Sequence, residues 1–196
     1  MKKQFVTRYL AMMIIFAGCG NNDVSAQQPR SPDTTTSNIL IAYFSCTGNT
    51  RSIAVHIANT LNATLYEIKP QVPYTTEDLN WRNSSSRSSM EMNNSSTRPG
   101  ISGTLESLSN YDIVFLGYPI WFGQAPRIIN TFLESYDFSG KTIIPFCTSG
   151  SSGIGSSATN LHRLVAANAK WLSGTRFSGN ASGNTVGEWV NNLNIR

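Results

Sequence analysis

A chain of 196 residues with 13% charged and 40% apolar side chains is long enough for one domain with its own core, once an N-terminal segment is set aside. From residue 38 onward, 11 Lys and Arg stand against 9 Asp and Glu, so this part has a net charge of only +2. Without a run of basic residues or a basic helix face, nucleic-acid binding has little support.

Residues 1–19 have the pattern of a bacterial secretion signal. Basic residues precede an apolar run over residues 9–18, which is too short to span a bilayer. The run ends in Phe16-Ala17-Gly18-Cys19, which resembles the lipobox of bacterial lipoproteins, where the cysteine becomes the lipidated first residue. We therefore expect a lipid anchor on Cys19 that holds the protein in the bacterial cell envelope, facing the periplasm or the exterior.

Two further expectations concern the same region. Leu is usual at the position of Phe16, so an ordinary cleaved signal with an incidental Cys19 remains the alternative. Residues 20–37 have almost no apolar content and carry two prolines, which predicts a flexible tether before a domain at residues 38–196.

From residue 38 onward, apolar strand-like runs alternate with helical patterns. The continuous apolar run at residues 39–44 is typical of a strand that is covered on both faces. In chain order the pattern predicts strands at 39–44, 63–68, 112–117, 142–147 and 175–178, and helices from about residue 50, from Pro126, across 161–172 and across 186–193. The alternation predicts a mainly parallel sheet, in which ligands bind beyond the carboxyl ends of the strands. Residues 75–100, rich in Ser and Asn, are predicted to be part helix and part excursion.

The polar loop after the first strand is Ser45-Cys46-Thr47-Gly48-Asn49-Thr50. Hydroxyl groups, a glycine and the backbone N–H groups of a helix N-terminus can together bind an anion. No Lys or Arg lies in the turn, which suits a permanently bound phosphomonoester. The simpler interpretation is a polar turn in which Asn49 or Thr50 caps the helix.

Five segments in the same order and spacing resemble a bacterial subfamily of flavodoxins. The loop at 45–50 is similar to the S/T-x-T-G-x-T phosphate loop of that family. Residues 117–126 resemble the loop after its third strand, and residues 138–150 resemble its fourth strand with the loop that follows. Residues 78–81, and residues 86–88 with 91–92, also look similar. The resemblance implies an α/β, doubly wound, five-stranded parallel sheet in the order 2-1-3-4-5, with non-covalently bound FMN at its carboxyl edge.

The resemblance also assigns roles to residues. The loop at 45–50 would bind the FMN phosphate, Trp121 would stack on the flavin, and the loop at 148–153 would flank its other side. The expected cofactor-binding residues are Ser45, Cys46, Thr47, Gly48, Asn49, Thr50, Pro119, Ile120, Trp121, Phe122, Gly123, Thr148, Ser149, Gly150 and Gly153. In the implied topology, another strand lies between the strands that end at Cys46 and Cys147, which places the two residues too far apart for a disulfide. We therefore expect two buried thiols.

The function implied is electron transfer with an unidentified redox protein or small electron acceptor as partner. An FMN-dependent reductase of quinones or similar acceptors is the alternative. In that case Arg87, Ser88 and Glu91 could shape a substrate side over the flavin. The simpler interpretation is that they only form hydrogen bonds within the excursion. Trp81 is expected to be a local packing anchor, and the alternative is that it approaches the open face of the flavin. A low-molecular-weight phosphatase is disfavoured. That class needs a Cys-x5-Arg loop, whereas the spacing here is Cys-x4-Arg. It also needs an Asp general acid, usually before Pro, and the chain has no Asp-Pro pair. No metal-ligand spacing is present.

Overall fold

The computed structural model describes residues 38–195. The predicted signal and tether lie outside these residues. The strands are β1 (Ile39–Tyr43), β2 (Thr64–Glu67), β3 (Lys69–Pro70), β4 (Ile101–Ser102), β5 (Ile113–Pro119), β6 (Thr142–Thr148), β7 (Lys170–Trp171) and β8 (Thr175–Phe177). The α-helices are α1 (Asn49–Leu61), α2 (Arg87–Asn93), α3 (Arg127–Ser135) and α4 (Gly183–Asn192). Within the described part of the chain, no helix is long and apolar enough to cross a membrane.

The main sheet is parallel and runs β2-β1-β5-β6, with β7 and β8 both paired to the far edge of β6. Counted by the predicted strands, this is the order 2-1-3-4-5, so the predicted doubly wound α/β fold is confirmed. The fifth position is divided between two short strands instead of one, which gives six strands in total.

Side chains of the central strands alternate between two apolar layers. Leu40 and Leu116 pack on the side of α3, whereas Ile41 and Phe115 pack on the side of α1 and α4. All four are fully buried, as expected for strands whose two faces are both covered by helices. The pairing register aligns Tyr43 with Gly117, and Gly117 with Phe146, so the polar loops that follow these strands emerge at one edge of the sheet.

The segment at 161–172 differs from the predicted helix. It consists of a 3-10 helix, Thr159–Leu164, followed by β7, and Leu172 lies beyond that strand. The backbone N–H groups of Lys170 and Leu172 donate to the carbonyl groups of Lys141 and Ile143 at 2.8 and 3.0 Å. The open edge of β6 therefore draws the chain into an extended conformation, and this non-local pairing overrides the helix-like spacing of the apolar residues.

The excursion after β2 does contain a helix, α2, as predicted. Its base is closed by the antiparallel pair β3–β4. Arg98 forms two hydrogen bonds with the Glu134 carboxylate on α3, at 2.6 and 2.7 Å, and Arg127 donates to the Met92 carbonyl at 2.9 Å. These contacts fix the excursion against α3 and near the carboxyl edge of the sheet.

Candidate functional site

The carboxyl ends of β1, β5 and β6 open into a cavity of about 640 Å³. This volume lies in the range of cavities that enclose small molecules and cofactors. Its wall is built from the loops after these three strands and from the excursion. The lining residues are Ser45, Cys46, Thr47, Thr50, Leu79, Trp81, Ser88, Pro119, Ile120, Trp121, Phe122, Ser149, Gly150, Ser151 and Ser152.

The loop between β1 and α1 presents the start of a helix to this cavity. Gly48 adopts a positive φ of 85°, and its N–H donates to the Ser45 hydroxyl at 3.1 Å. No side chain caps α1 and no acidic residue lies in its first turn, so the interpretation of the loop as a turn capped by Asn49 or Thr50 is wrong. The partial positive charge of the helix N-terminus is thus left for an anion.

A buried contact between two hydroxyl groups joins the first and third loops. The hydroxyls of Thr50 and Thr148 lie 2.8 Å apart, and both residues are almost completely buried. A hydroxyl carries one donor and two acceptor sites, so Thr50 can bond to Thr148 and still offer a site to the cavity.

The second loop is a tight hairpin that positions an indole ring. Trp121 and Gln124 exchange two backbone hydrogen bonds of 2.9 Å, and the residues between them, Phe122 and Gly123, have φ values of 49° and 75°. Two positive φ values at the central positions define a turn of type I′, which is strained for a phenylalanine. Trp121 packs edge-to-face on Phe44 and Tyr74, with ring centroids 5.6 and 5.3 Å apart.

An arginine on β8 holds the third loop. Arg176 donates from Nη2 to the carbonyl groups of Ser149 and Gly150, both at 2.6 Å, and from Nε to the Ser149 hydroxyl at 3.1 Å. The Ser149 hydroxyl in turn donates to the Ser152 carbonyl. Sequence patterns did not indicate Arg176, because it lies 27 residues from the loop it fixes.

Most of the residues expected to bind the cofactor line the cavity, and three of the other five support its loops. The residues on that list that do not line it are Gly48, Asn49, Gly123, Thr148 and Gly153. Gly48 and Gly123 supply turns with positive φ, and Thr148 holds Thr50. The Asn49 side chain faces Gly179, where an added Cβ would lie 2.6 Å from its Cγ.

The excursion forms a further part of the cavity wall. Trp81 is 64% exposed and lines the cavity together with Leu79 and Ser88, so its expected role as a packing anchor is wrong. The Arg82 guanidinium lies 4.7 Å from the centre of the Trp81 ring. A large apolar ring that is exposed beside a cavity favours contact with a ligand.

Arg87 and Glu91 are engaged within the protein. The Glu91 carboxylate accepts from the Tyr74 hydroxyl at 2.6 Å and from Arg87 Nε at 2.7 Å, and the Arg87 guanidinium lies 3.9 Å from the centre of the Tyr74 ring. Burial, followed by the hydrogen bond to Glu91, raises the pKa of Tyr74, so this hydroxyl stays a donor. The structure thus favours internal bonding for this pair, and only Ser88 reaches the cavity wall.

Cys46 does not have the lowered pKa of a nucleophilic cysteine. Burial raises the pKa of its thiol to about 12, against the opposing effect of the nearby Arg87. The thiol therefore lacks the lowered pKa that a phosphatase mechanism would need. Cys46 and Cys147 are both free thiols. Cys147 is buried, as expected, whereas Cys46 is half-buried and lines the cavity. Among residues 38–195, no cluster of side chains could hold a metal ion.

Comparison with known proteins agrees with this geometry. The sequence profile of the flavodoxin family matches residues 38–193. The chain belongs to the flavodoxin family. No protein with a curated description matches the chain.

Two solved structures from Bacteroides are similar over nearly their whole length. A protein of B. eggerthii provisionally described as a flavoprotein is 43% identical, with a TM-score of 0.76, over 82% of this chain and 99% of that one. A protein of B. uniformis with the same description is 45% identical, with a TM-score of 0.75, over 79% of this chain and 98% of that one. A Lactobacillus acidophilus flavoprotein solved with FMN is 23% identical over 71% of this chain and 93% of that one, with a TM-score of 0.58, and shares the fold.

The residues present fit FMN, the cofactor that membership in this family implies. Neutral donors at the start of α1 suit a phosphomonoester, and Trp121, Trp81 and Phe122 offer aromatic surface to a flavin ring. The lining of the cavity contains no Asp, Glu, Lys or Arg. Such a site can hold and orient a redox cofactor but has no charged side chain for acid–base chemistry on a substrate.

Because the pKa of Cys46 is about 12, we expect iodoacetamide to modify this thiol slowly at pH 7–9, at a rate that rises about tenfold with each pH unit. Peptide mapping by mass spectrometry gives the rate at Cys46, with glutathione as the reference thiol and Cys46→Ser as the blank. A rate at Cys46 that levels off near pH 8 would contradict the raised pKa.

Proposed function

We propose that the protein binds FMN in this cavity and transfers electrons to or from a partner outside the cytoplasm. The observation that carries the proposal is a cavity at the carboxyl edge of a flavodoxin sheet, with a neutral anion loop at one end and aromatic rings along its side. Bound FMN would supply the redox chemistry, whereas the chain binds and orients it.

The chain's own residues have separate tasks in this proposal. Ser45, Thr47 and Thr50 would donate hydrogen bonds to the phosphate, with the N-terminus of α1 behind them. Trp121 would cover part of the flavin ring and contribute about 1–2 kcal/mol by stacking. Edge-to-face packing on Phe44 and Tyr74 holds that ring in one orientation before the cofactor arrives.

An FMN-dependent reductase of quinones or similar acceptors is the second candidate. It is favoured by the wall of Leu79 and Trp81, which gives the cavity apolar surface beyond the three flavin loops. The FMN-loaded protein is incubated with NADPH and a quinone, and the consumption of NADPH is followed. Turnover well above that of free FMN supports the reductase, whereas turnover equal to free FMN supports the carrier.

If the first loop binds the phosphate group, a substitution there should weaken the binding of FMN more than that of riboflavin, which has no phosphate. Thr47 is exposed in the loop and lines the cavity, so Thr47→Ala removes a hydroxyl without opening the core. We expect it to weaken FMN by about 1–3 kcal/mol, the usual range for one hydrogen bond to a charged group, and riboflavin much less. Thr47→Ser keeps the hydroxyl and should retain FMN affinity. Fluorescence titration measures both ligands, and equal weakening of both would remove the proposed role.

The uncharged site predicts a higher reduction potential than that of acidic flavodoxins. Glu91 is bonded to Arg87 and Tyr74, and Asp78 accepts from the Thr75 backbone, so neither carboxylate lines the cavity. A single carboxylate about 10 Å from the flavin would oppose the last one-electron reduction of FMN by roughly 1.7 kcal/mol at an effective dielectric constant near 20. This energy corresponds to about 70 mV in the reduction potential.

The measurement is spectroelectrochemical titration of the FMN-loaded protein at two ionic strengths, beside an acidic flavodoxin. We expect a less negative potential for the last step and a weak dependence on salt. A potential as low as that of the acidic flavodoxin would contradict the electrostatic explanation.

The proposed location outside the cytoplasm is supported by the lipobox-like sequence at residues 16–19. If Cys19 is lipidated, the full chain should sediment with membranes, and Cys19→Ala should stop maturation at that site. More than one acyl chain is expected, because a single chain binds membranes only marginally. Fractionation and mass spectrometry of the mature N-terminus test this. A soluble Cys19→Ala product that is processed like the wild type would show an ordinary cleaved signal instead.

A further inference from the structure

A second, smaller cavity of about 220 Å³ lies beside the first turn of α3 and against the 3-10 helix Thr159–Leu164. We call it the arginine pocket; its polar lining includes Gln124, Arg127, Asn130, Asn160 and Arg163. Gln124 also closes the hairpin that carries Trp121, so the arginine pocket and the cavity of the functional site adjoin the same turn. Nothing in the proposed electron-transfer role uses this pocket.

The charge of the arginine pocket is positive and unbalanced. Arg127 and Arg163 line it, no acidic side chain does, and neither arginine forms a salt bridge with any residue from 38 to 195. Burial lowers the pKa of Arg127, and repulsion from Arg98 and Arg163 lowers it further. Arg98 is neutralised by Glu134. Arg127 donates from Nη2 and Nε to the carbonyl groups of Met92 and Glu91, at 2.9 and 3.4 Å, but these neutral acceptors leave its charge unbalanced. Arg127 and Arg163 therefore both contribute an unbalanced positive charge to the pocket wall.

The backbone adds to this positive field. The arginine pocket borders Ala125, Arg127 and Asn130, which lie at the start of α3. Pro126 occupies the cap position of this nine-residue helix, no side chain caps it, and its first turn contains no acidic residue. The N-terminus of α3 therefore adds its partial positive charge to the pocket that Arg127 and Arg163 line.

Asn130 is the observation that indicates a ligand. Its side chain is only 5% exposed and lines the arginine pocket, yet its amide forms no hydrogen bond with another described residue. By contrast, the neighbouring amides of Gln124 and Asn160 bond to each other at 2.7 Å. Among the described residues, the Tyr66 hydroxyl alone is an enclosed polar side-chain group without a partner, so the Asn130 amide reaches solvent through the pocket. It is therefore available to bond to a molecule that enters the pocket.

We propose that the arginine pocket binds the phosphate group of a second, exchangeable ligand. Two guanidinium groups, a helix N-terminus and an amide donor together match a doubly charged tetrahedral oxyanion better than a singly charged carboxylate. The contrast with the loop at 45–50 supports this assignment. That loop has neutral donors, which suit a resident phosphomonoester, whereas fixed charges attract a charged ligand from solution.

The phosphate has two possible sources, free inorganic phosphate or the phosphate group of a nucleotide. The FMN-saturated protein is titrated at constant ionic strength by isothermal calorimetry, first with inorganic phosphate and then with AMP. We expect saturable binding of one phosphate per protein. Tighter binding of AMP than of phosphate would identify a nucleotide, and equal or weaker binding would identify the free ion; both results support the pocket.

Three variants test the assignment to residues. Arg163→Gln removes an exposed cation, and Asn130→Asp places a negative charge where the amide stood; each should weaken phosphate binding about tenfold or more, the usual effect of one charge-assisted hydrogen bond. Lys170→Gln removes the same charge at the other end of the sheet, where Lys170 pairs with Thr142, and should change nothing. Far-ultraviolet circular dichroism confirms that each variant is folded. No saturable binding, or equal weakening by Lys170→Gln and Arg163→Gln, would overturn the proposal.

Discussion

Parallel pairing of β1, β5 and β6, buried on both faces, is the constraint on which the rest of the structure depends. Ile41, Phe115 and Ile144 are fully buried on one face of this sheet, and Leu40, Val114 and Ile143 on the other. Complete burial of such a side chain is worth about 1.5–3 kcal/mol, so both layers resist any shift in register. A fixed register in turn brings three loops from distant parts of the sequence to one edge, where they enclose the cavity.

Arginines then fix the loops that the sheet only brings together. Arg87 donates to the Val72 carbonyl, Arg127 to the Met92 carbonyl, and Arg176 to the carbonyls of Ser149 and Gly150. Loop carbonyl groups lack the partners that a helix or a strand supplies, and a guanidinium group can satisfy several of them at once. The functional site is thus bounded by loops rich in Ser, Gly and Asn that are nevertheless held in place.

The two cavities differ in the way they would attract an anion. The larger one offers hydroxyl groups, a helix N-terminus and aromatic rings without a charged lining, whereas the smaller one offers two guanidinium groups beside another helix N-terminus. In the larger cavity, the electrostatic potential at a bound cofactor is therefore set by charges elsewhere in the protein. The smaller cavity depends on local charges, and its affinity should therefore decline as salt screens them.

Local patterns in the sequence determined the strands, most of the helices and the position of the site. The apolar runs at 39–44, 112–117 and 142–147 are strands because burial on both faces requires them to be continuously apolar, and the polar loops after them could be located for the same reason. Tertiary structure alone decided the path of 161–172, the exposure of Trp81, the bond between Thr50 and Thr148, and the contacts of Arg176. Each of these depends on partners or surroundings remote in the sequence, such as the open edge of β6 or a carbonyl 27 residues away, and the periodicity of a single segment contains no information about them.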